Sequence, residues 1–271
     1  MPKLQVNDID LFYDIKGDGE PLLLIAGFLC DRSYWSLIMP SLVEQYQVIR
    51  VDNRGMGRSS APDIPYSIQQ MANDLTALLN YIGIDQVNVV GHSMGGQIAQ
   101  ELVLSDPTRV KSLILLSSLA QGDRKFHQII ETWGDLPGNI DLKLYEKVVF
   151  PWIFTDKFYA IPGMVEQLIE WAVNYPFAPA RHTLYHHSRA ILGSDTKDRL
   201  QNIHCPTLIL VGREDILTPV KFSQQLAAGI PHAELVVIDS CGHGLLIESP
   251  ETVVSLMGEF LANFGKCIAG E

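Results

Sequence analysis

The sequence contains no apolar run approaching the roughly 18 to 20 residues that a membrane-spanning helix needs. The first residues, Met1 to Asp8, also lack the apolar core of a secretory signal peptide. These two absences predict a cytoplasmic protein that neither crosses nor inserts into a membrane.

Cysteine is scarce, with four residues that show no paired spacing: Cys30, Cys205, Cys241 and Cys267. Without an export signal, free thiols in a reducing compartment are expected rather than a disulfide framework. Cys30 and Cys241 fall on predicted loops close to the site proposed below, where we interpret them as small buried apolar residues.

Positive charge is also in short supply, because 20 Lys and Arg stand against 31 Asp and Glu, for a formal net charge of −11. No basic cluster offsets this balance, so nucleic acid and anionic membrane surfaces are not expected partners. The histidine pair in Tyr185-His186-His187 lacks ligands at metal-binding spacing, and we predict no metal. The glycine-rich loop from Asp52 to Ser60 lacks the Lys-Ser/Thr of a P-loop and the glycine spacing of a dinucleotide site.

Buried strands and helices alternate along much of the chain. The sequence has 271 residues, of which 47% are hydrophobic, enough for a large core. The predicted strands are short apolar runs bounded by turn formers: Leu4–Val6, Leu11–Ile15, Pro21–Ile25, Gln47–Val51, Val87–Val90, Val110–Leu116, Pro206–Val211 and Ala233–Ile238. Their alternation with helical segments predicts an α/β fold with a mostly parallel eight-stranded sheet flanked by helices. The first two strands suit an antiparallel hairpin.

The alternation stops after the sixth strand. Residues 120–195 contain helical stretches and many aromatic residues but no buried strand. We interpret this segment as a helical cap inserted between two parts of the core, residues 1–119 and 196–271. Trp152 and Trp171 in the cap are candidate substrate-binding residues, with packing of the cap on the core as the alternative.

The stretch Gly91-His92-Ser93-Met94-Gly95 joins a buried strand to a helix. Gly-x-Ser-x-Gly in that context is typical of a nucleophile elbow, a sharp turn that exposes the serine hydroxyl. The sequence therefore predicts Ser93 as a catalytic nucleophile at a helix N-terminus.

A serine hydroxyl is a poor nucleophile at neutral pH and needs a general base, which an acid in turn orients. Such groups gather at the carboxyl ends of parallel strands. The last strand leads to His243, the predicted base, and the preceding one leads to Asp215, the predicted acid; Glu214 and Asp239 are rivals for the acid. The oxyanion donors are predicted to be the backbone N–H groups of Phe28 and Met94.

Five motifs carry a family resemblance over essentially the whole chain. They are Gly27-Phe28, Asp52-x-Arg54-Gly55-x-Gly57-x-Ser59, Gly91-His92-Ser93-Met94-Gly95-Gly96, Gly212-x-x-Asp215-x-x-x-Pro219, and Gly242-His243 with Glu248-x-Pro250. In this order they resemble the cap-bearing serine hydrolases of the α/β-hydrolase superfamily, close to 3-oxoadipate enol-lactonase-like esterases. The resemblance implies the triad roles given above and a structural role for the Asp52–Ser59 loop.

One position departs from the family pattern, and another excludes two related families. Ala26 stands where such chains usually carry histidine, which leaves the geometry of the oxyanion loop to be tested. Serine at the elbow argues against epoxide hydrolases and haloalkane dehalogenases, which resemble this chain but use aspartate there.

The expected function is hydrolysis of a small carboxylic ester or lactone through an acyl-enzyme, without a cofactor. A carbon–carbon bond hydrolase, a perhydrolase or an acyltransferase could use the same triad. A ligand receptor that retains the fold with little turnover is the alternative from another class. The cap aromatics favour an apolar substrate, whereas Arg181 and Arg189 would suit an anionic one if they are not surface charges. The expected quaternary state is a monomer or homodimer.

Overall fold

A computed structural model describes residues 3–265. Cys267, one of the four predicted free thiols, lies outside the described residues. The described chain contains eight strands: β1 (Lys3–Val6), β2 (Ile9–Lys16), β3 (Glu20–Ile25), β4 (Tyr46–Asp52), β5 (Val87–His92), β6 (Val110–Leu116), β7 (Thr207–Gly212) and β8 (Glu234–Ile238).

The eight strands form one sheet in the order β1-β2-β4-β3-β5-β6-β7-β8. The β1–β2 and β2–β4 pairs are antiparallel, and all the other pairs are parallel. The predicted mostly parallel eight-stranded sheet with an antiparallel hairpin at its start is therefore confirmed.

The sheet is buried on both faces. In β3, Leu23 and Ile25 belong to one apolar cluster, whereas Leu22 and Leu24 belong to another. Successive side chains of a strand point to opposite faces, so these two clusters are the cores on either side of the sheet. Continuous apolar strands are what burial on both faces requires, as the sequence predicted.

Eleven α-helices are found within residues 3–265: α1 (Met39–Leu42), α2 (Ile68–Tyr81), α3 (Met94–Ser105), α4 (Arg124–Asp135), α5 (Leu142–Ile153), α6 (Asp156–Tyr159), α7 (Met164–Val173), α8 (Arg181–Leu192), α9 (Val220–Gly229), α10 (Leu245–Glu248) and α11 (Pro250–Gly265). The pattern Ser67-Ile68-Gln69-Gln70 predicts an N-cap at the start of α2, and the Ser67 hydroxyl accepts from the backbone N–H of Gln70 at 3.0 Å. The helices α4 to α8 all lie between β6 and β7, and we call this segment the helical insert.

The apolar spacing of Trp35, Ile38 and Leu42 predicts one helix, and the structure has two short helical pieces instead. A 3₁₀ helix covers Arg32–Trp35, and α1 is one turn that begins at Met39. Pro40 lacks the N–H that would continue a helix from the preceding residues, so a new turn starts there.

The Asp52–Ser59 loop is held by buried polar contacts. Arg54 donates to both Asp8 and Asp74, and its own side chain is fully buried. The Asp52 carboxylate accepts from the backbone N–H groups of Arg32 and Arg58. These contacts agree with a structural role for the loop, which the sequence led us to expect.

Candidate active site

Ser93 occupies a sharp turn between β5 and α3. Its backbone has φ 54° and ψ −117°, a conformation that L residues rarely adopt. The turn depends on small neighbours, because a Cβ on Gly91 would lie 2.3 Å from the Gly95 carbonyl oxygen. A Cβ on Gly95 would lie 2.1 Å from the carbonyl oxygen of Ile25. The backbone therefore has the form expected of a nucleophile elbow.

His243 and Asp215 form a buried pair beyond the carboxyl ends of β8 and β7. Nδ1 of His243 lies 2.9 Å from Oδ2 of Asp215, and both residues are only 3% exposed. Since a carboxylate accepts, Nδ1 carries the proton and Nε2 is the basic nitrogen of the neutral ring. This is the tautomer that a general base for Ser93 requires.

The Asp215 carboxylate is held by its own turn. Oδ1 accepts from the backbone N–H groups of Leu217 at 3.0 Å and Thr218 at 2.7 Å. The Thr218 hydroxyl lies 2.8 Å from Oδ2 and 3.1 Å from Nδ1 of His243. Thr218 thus joins the acid and the base, a contact that the sequence motif did not single out.

The two rivals of Asp215 lie away from His243. The Asp239 carboxylate pairs with the guanidinium of Arg213, and both side chains are exposed. Glu214 is also exposed. Among the three candidate acids, the structure brings Asp215 alone to the histidine.

Phe28 and Met94, the predicted oxyanion donors, line the same cavity as Ser93 and His243. Within residues 3–265, neither backbone N–H donates a hydrogen bond to another residue. Met94 is the first residue of α3, where the helix leaves its N–H groups without internal acceptors. Both amides are therefore available to an oxyanion.

Ala26, where the family pattern has histidine, lies in an ordered loop. Asn53 Nδ2 donates to the Ala26 carbonyl oxygen at 3.0 Å, and the Cys30 N–H donates to the Gly27 carbonyl oxygen at 3.3 Å. The Phe28 ring also stacks on Trp133 from α4, with a centroid distance of 6.3 Å and an interplanar angle of 8°. Asn53 and Trp133 thus support this loop, and neither is among the site residues that the sequence predicts.

The site opens into a cavity of about 470 Å³. Its walls come from the loops at the carboxyl ends of the strands and from the helical insert, and most of the lining side chains are apolar. Trp171 lies on this wall, although it is 56% exposed. Trp152 does not line the cavity, and its ring contacts the ammonium group of Lys125 at 5.4 Å instead. The structure therefore brings one of the two predicted tryptophans to the site.

Charged groups on the cavity wall are acidic. Asp31 and Glu146 line the cavity, and no Lys or Arg among residues 3–265 does so. Arg189 instead pairs with Glu131 and Asp135 of α4. Burial raises the pKa of the Glu146 carboxyl to about 7. The structure thus gives no support to arginine recognition of an anionic substrate.

The three cysteines in the described part of the chain are unpaired. Burial raises the pKa of the Cys30 thiol to about 12 and that of Cys205 and Cys241 to about 11, so these thiols remain protonated at neutral pH. Residues 3–265 contain no group of three or more His, Cys, Asp or Glu side chains arranged to hold a metal ion. Among the same residues, no helix combines the length and apolarity needed to cross a membrane.

Comparison with known proteins identifies the family. Residues 20–250 match the model of the alpha/beta hydrolase fold family. The chain therefore belongs to the α/β-hydrolase fold family, as the five ordered motifs predicted.

Individual relatives span several hydrolytic activities. A putative carbamate hydrolase RutD from Azorhizobium caulinodans is 30% identical and aligned over 93% of this chain and 94% of its own length. A thermophilic esterase from Thermogutta terrifontis is 27% identical, with a TM-score of 0.84 and 94% of each chain covered. Est816, described as an N-acyl homoserine lactone degrading enzyme, is 29% identical, with a TM-score of 0.83 and coverage of 96% and 100%.

The fold also matches the enol-lactonase from Burkholderia xenovorans LB400. The TM-score is 0.87, with 24% identity and coverage of 96% of this chain and 100% of that chain. The family match and the likenesses to the carbamate hydrolase, the thermophilic esterase and Est816 support a hydrolase that acts on ester-like substrates.

Proposed function

We propose that the chain is a serine hydrolase that cleaves a small carboxylic ester or lactone. One observation carries the proposal: Ser93, held in the elbow conformation, lines the same cavity as His243, whose Nδ1 donates to the buried Asp215. A strained, half-buried serine that shares a cavity with an oriented histidine is the arrangement that acyl transfer needs.

The reaction begins when Ser93 Oγ attacks the substrate carbonyl while Nε2 of His243 takes the hydroxyl proton. Asp215 keeps the His243 ring in the correct tautomer and stabilises its positive charge. The N–H groups of Phe28 and Met94 bind the oxyanion. His243 then returns the proton to the departing alkoxide as the ester C–O bond breaks. A water molecule next attacks the acyl carbon while His243 takes its proton, and the bond from that carbon to Ser93 Oγ breaks as His243 returns the proton to the serine.

The helical insert serves as a cap over this site. Its helices supply apolar walls of the cavity, including Trp133, Phe150 and Trp171. An apolar, partly enclosed site excludes water from the alcohol and acyl groups of the substrate and favours an apolar ester. On this basis residues 120–195 are the cap, and the described parts of residues 1–119 and 196–271 form the hydrolase core.

Fluorophosphonate labelling tests the nucleophile. The wild type and Ser93→Ala are treated with the probe, and turnover of p-nitrophenyl acetate and butyrate is measured in parallel. Labelling and repeated turnover in the wild type alone support the proposal. Absence of labelling and turnover in a folded wild type would overturn it in favour of a receptor that retains the hydrolase fold.

A carbamate is the second candidate substrate, favoured by the name of the RutD relative. The same serine would form a carbamoyl-enzyme, which is hydrolysed more slowly than an acyl-enzyme. Parallel assays with p-nitrophenyl acetate and p-nitrophenyl N-methylcarbamate distinguish the two. Steady turnover of the carbamate at a rate close to that of the ester would favour the carbamate, whereas a single burst of p-nitrophenol would favour the ester.

A further inference from the structure

Glu146 interrupts the apolar face that α5 presents to the cavity. The helix contributes five lining residues: Leu142, Glu146, Val149, Phe150 and Ile153. Their spacing of three and four residues defines one face of a helix. The pattern calls for an apolar residue at position 146, yet a carboxyl group stands there with 8% exposure.

The Glu146 carboxyl has no partner within the described chain. It forms no hydrogen bond or ion pair with any of residues 3–265. Burying an acid in this way is costly, because the carboxyl group loses hydration and gains no hydrogen bond from the protein in return. A buried polar group without a partner on a cavity wall is accounted for by a ligand that supplies the missing donor.

The surrounding charges select the kind of donor. Asp31 also lines the cavity, but its carboxylate already accepts from the Ser33 N–H at 2.7 Å and the Tyr175 hydroxyl at 2.5 Å. No Lys or Arg among the described residues lines the cavity. Two acids on a wall without Lys or Arg repel an anionic ligand and attract a cationic one. The aromatic rings on the wall add cation–π attraction for an ammonium group.

We propose that Glu146 determines specificity by binding a protonated amine carried on an otherwise apolar substrate. This inference rests on the proposed hydrolysis at Ser93, since it concerns the substrate of that site. The amine would sit against α5 while the ester carbonyl lies at Ser93. The proposal thus assigns an apolar amino ester as the substrate class.

Binding to a Ser93→Ala protein tests the pocket without any requirement for turnover. 4-Phenylbutylamine and 4-phenylbutyrate are titrated at pH 8 by calorimetry. They share an apolar body and differ in the sign of their charge. We expect the amine to bind at least tenfold more tightly than the carboxylate, and Glu146→Gln to reduce amine affinity about tenfold. Equal affinities, or no effect of Glu146→Gln, would overturn the inference.

Two further variants test whether the effect is specific to the Glu146 carboxyl. Glu166→Gln removes an exposed acid from α7, which packs against α5 but does not present Glu166 to the cavity. It should leave amine affinity unchanged, so a loss there equal to that of Glu146→Gln would count against a specific site. Glu146→Leu restores the apolar face and should lose the preference for the amine as Glu146→Gln does.

Turnover separates this inference from the proposed function. The kcat/KM of p-nitrophenyl 6-aminohexanoate is compared with that of the heptanoate, which has a methyl group in place of the amine. A wild-type preference for the amino ester that Glu146→Gln reduces about tenfold supports both proposals. Turnover of both esters without such a preference overturns the inference alone. Amine binding that depends on Glu146, with no turnover of either ester, overturns the proposed hydrolase and retains the amine site.

Discussion

The imidazole Nε2 of His92 lies 3.1 Å from the backbone carbonyl oxygen of His243. A carbonyl accepts, so Nε2 carries the proton, and Nδ1 is left without a partner in the described structure. Burial lowers the pKa of His92 to about 3, which keeps the ring neutral. The residue before the nucleophile therefore ties the elbow to the loop that carries the base.

We expect His92→Leu to lower kcat/KM about tenfold, because losing one buried hydrogen bond worth about 1.4 kcal/mol would free the His243 loop. His92→Gln can place an amide donor near the Nε2 position and should recover most of the activity. The measurement is steady-state hydrolysis of p-nitrophenyl butyrate. Full activity in His92→Leu would mean that the contact does not position the base.

Thr218 should matter for catalysis although it need not touch the substrate. Its hydroxyl lies 2.8 Å from Asp215 Oδ2, so Thr218→Val should lower kcat/KM by about tenfold, whereas Thr218→Ser retains the contact. Asp215→Asn should cost about 10³ to 10⁴ in kcat, since an amide cannot hold the required tautomer of His243. Rates of p-nitrophenyl ester hydrolysis rank the variants. A lower rate of hydrolysis for Thr218→Val than for Asp215→Asn would contradict these roles.

The sequence predicts the sheet and the proposed triad because each depends on local patterns. Ser93, Asp215 and His243 each follow an apolar strand, and the carboxyl ends of parallel strands meet at one edge. Thr218 was missed, although a hydroxyl three residues from an acid can hydrogen-bond within the same turn. That short spacing was the available signal.

The lining of the cavity was harder to predict because it depends on which face of each insert helix points inward. With 3.6 residues per turn, Trp152 lies about 120° around α5 from Glu146, so it is on a face of the helix that does not line the cavity. The aromatic character of Trp152 therefore does not indicate which way its side chain points. Glu146 is not predicted from the aromatic content of the insert, because a single acid adds nothing to that content. The signal that would have found it is one acid within the apolar stripe Leu142, Val149 and Ile153.

Gly95→Ala should damage the elbow severely. The added Cβ would lie 2.1 Å from the Ile25 carbonyl oxygen and 2.7 Å from that of Ala26, so the backbone must move. We expect a loss of more than about 3 kcal/mol in the free energy of unfolding. Gly258→Ala in α11 is the matched control, because nothing lies within 4 Å of its Cβ position, and it should stabilise by up to about 1 kcal/mol. Urea unfolding measures both, and equal effects of the two substitutions would contradict the steric argument.

Glu146 should make stability depend on pH. Burial raises its pKa to about 7 from an ordinary value of 4.5, so folding favours the protonated acid. Its contribution to stability is complete below pH 4.5 and is lost as pH rises through 7. The nearby Cys30 and Tyr145 remain protonated in this range, since burial raises the pKa of each. Asp31 is the other acid on this wall, and its carboxylate is held by Ser33 and Tyr175.

Glu146→Gln cannot ionise, so it should unfold with the same free energy as the wild type at pH 4.5 and be more stable at pH 8 by up to roughly 3 kcal/mol. Urea unfolding of both proteins across this range measures the difference. Glu166→Gln, which alters an exposed acid, should follow the wild type at every pH. If the free energies of unfolding of Glu146→Gln and the wild type change with pH in the same way, the Glu146 carboxyl is fully hydrated through the cavity. A hydrated carboxyl does not need an amine as its partner, so this result would count against the proposed amine site.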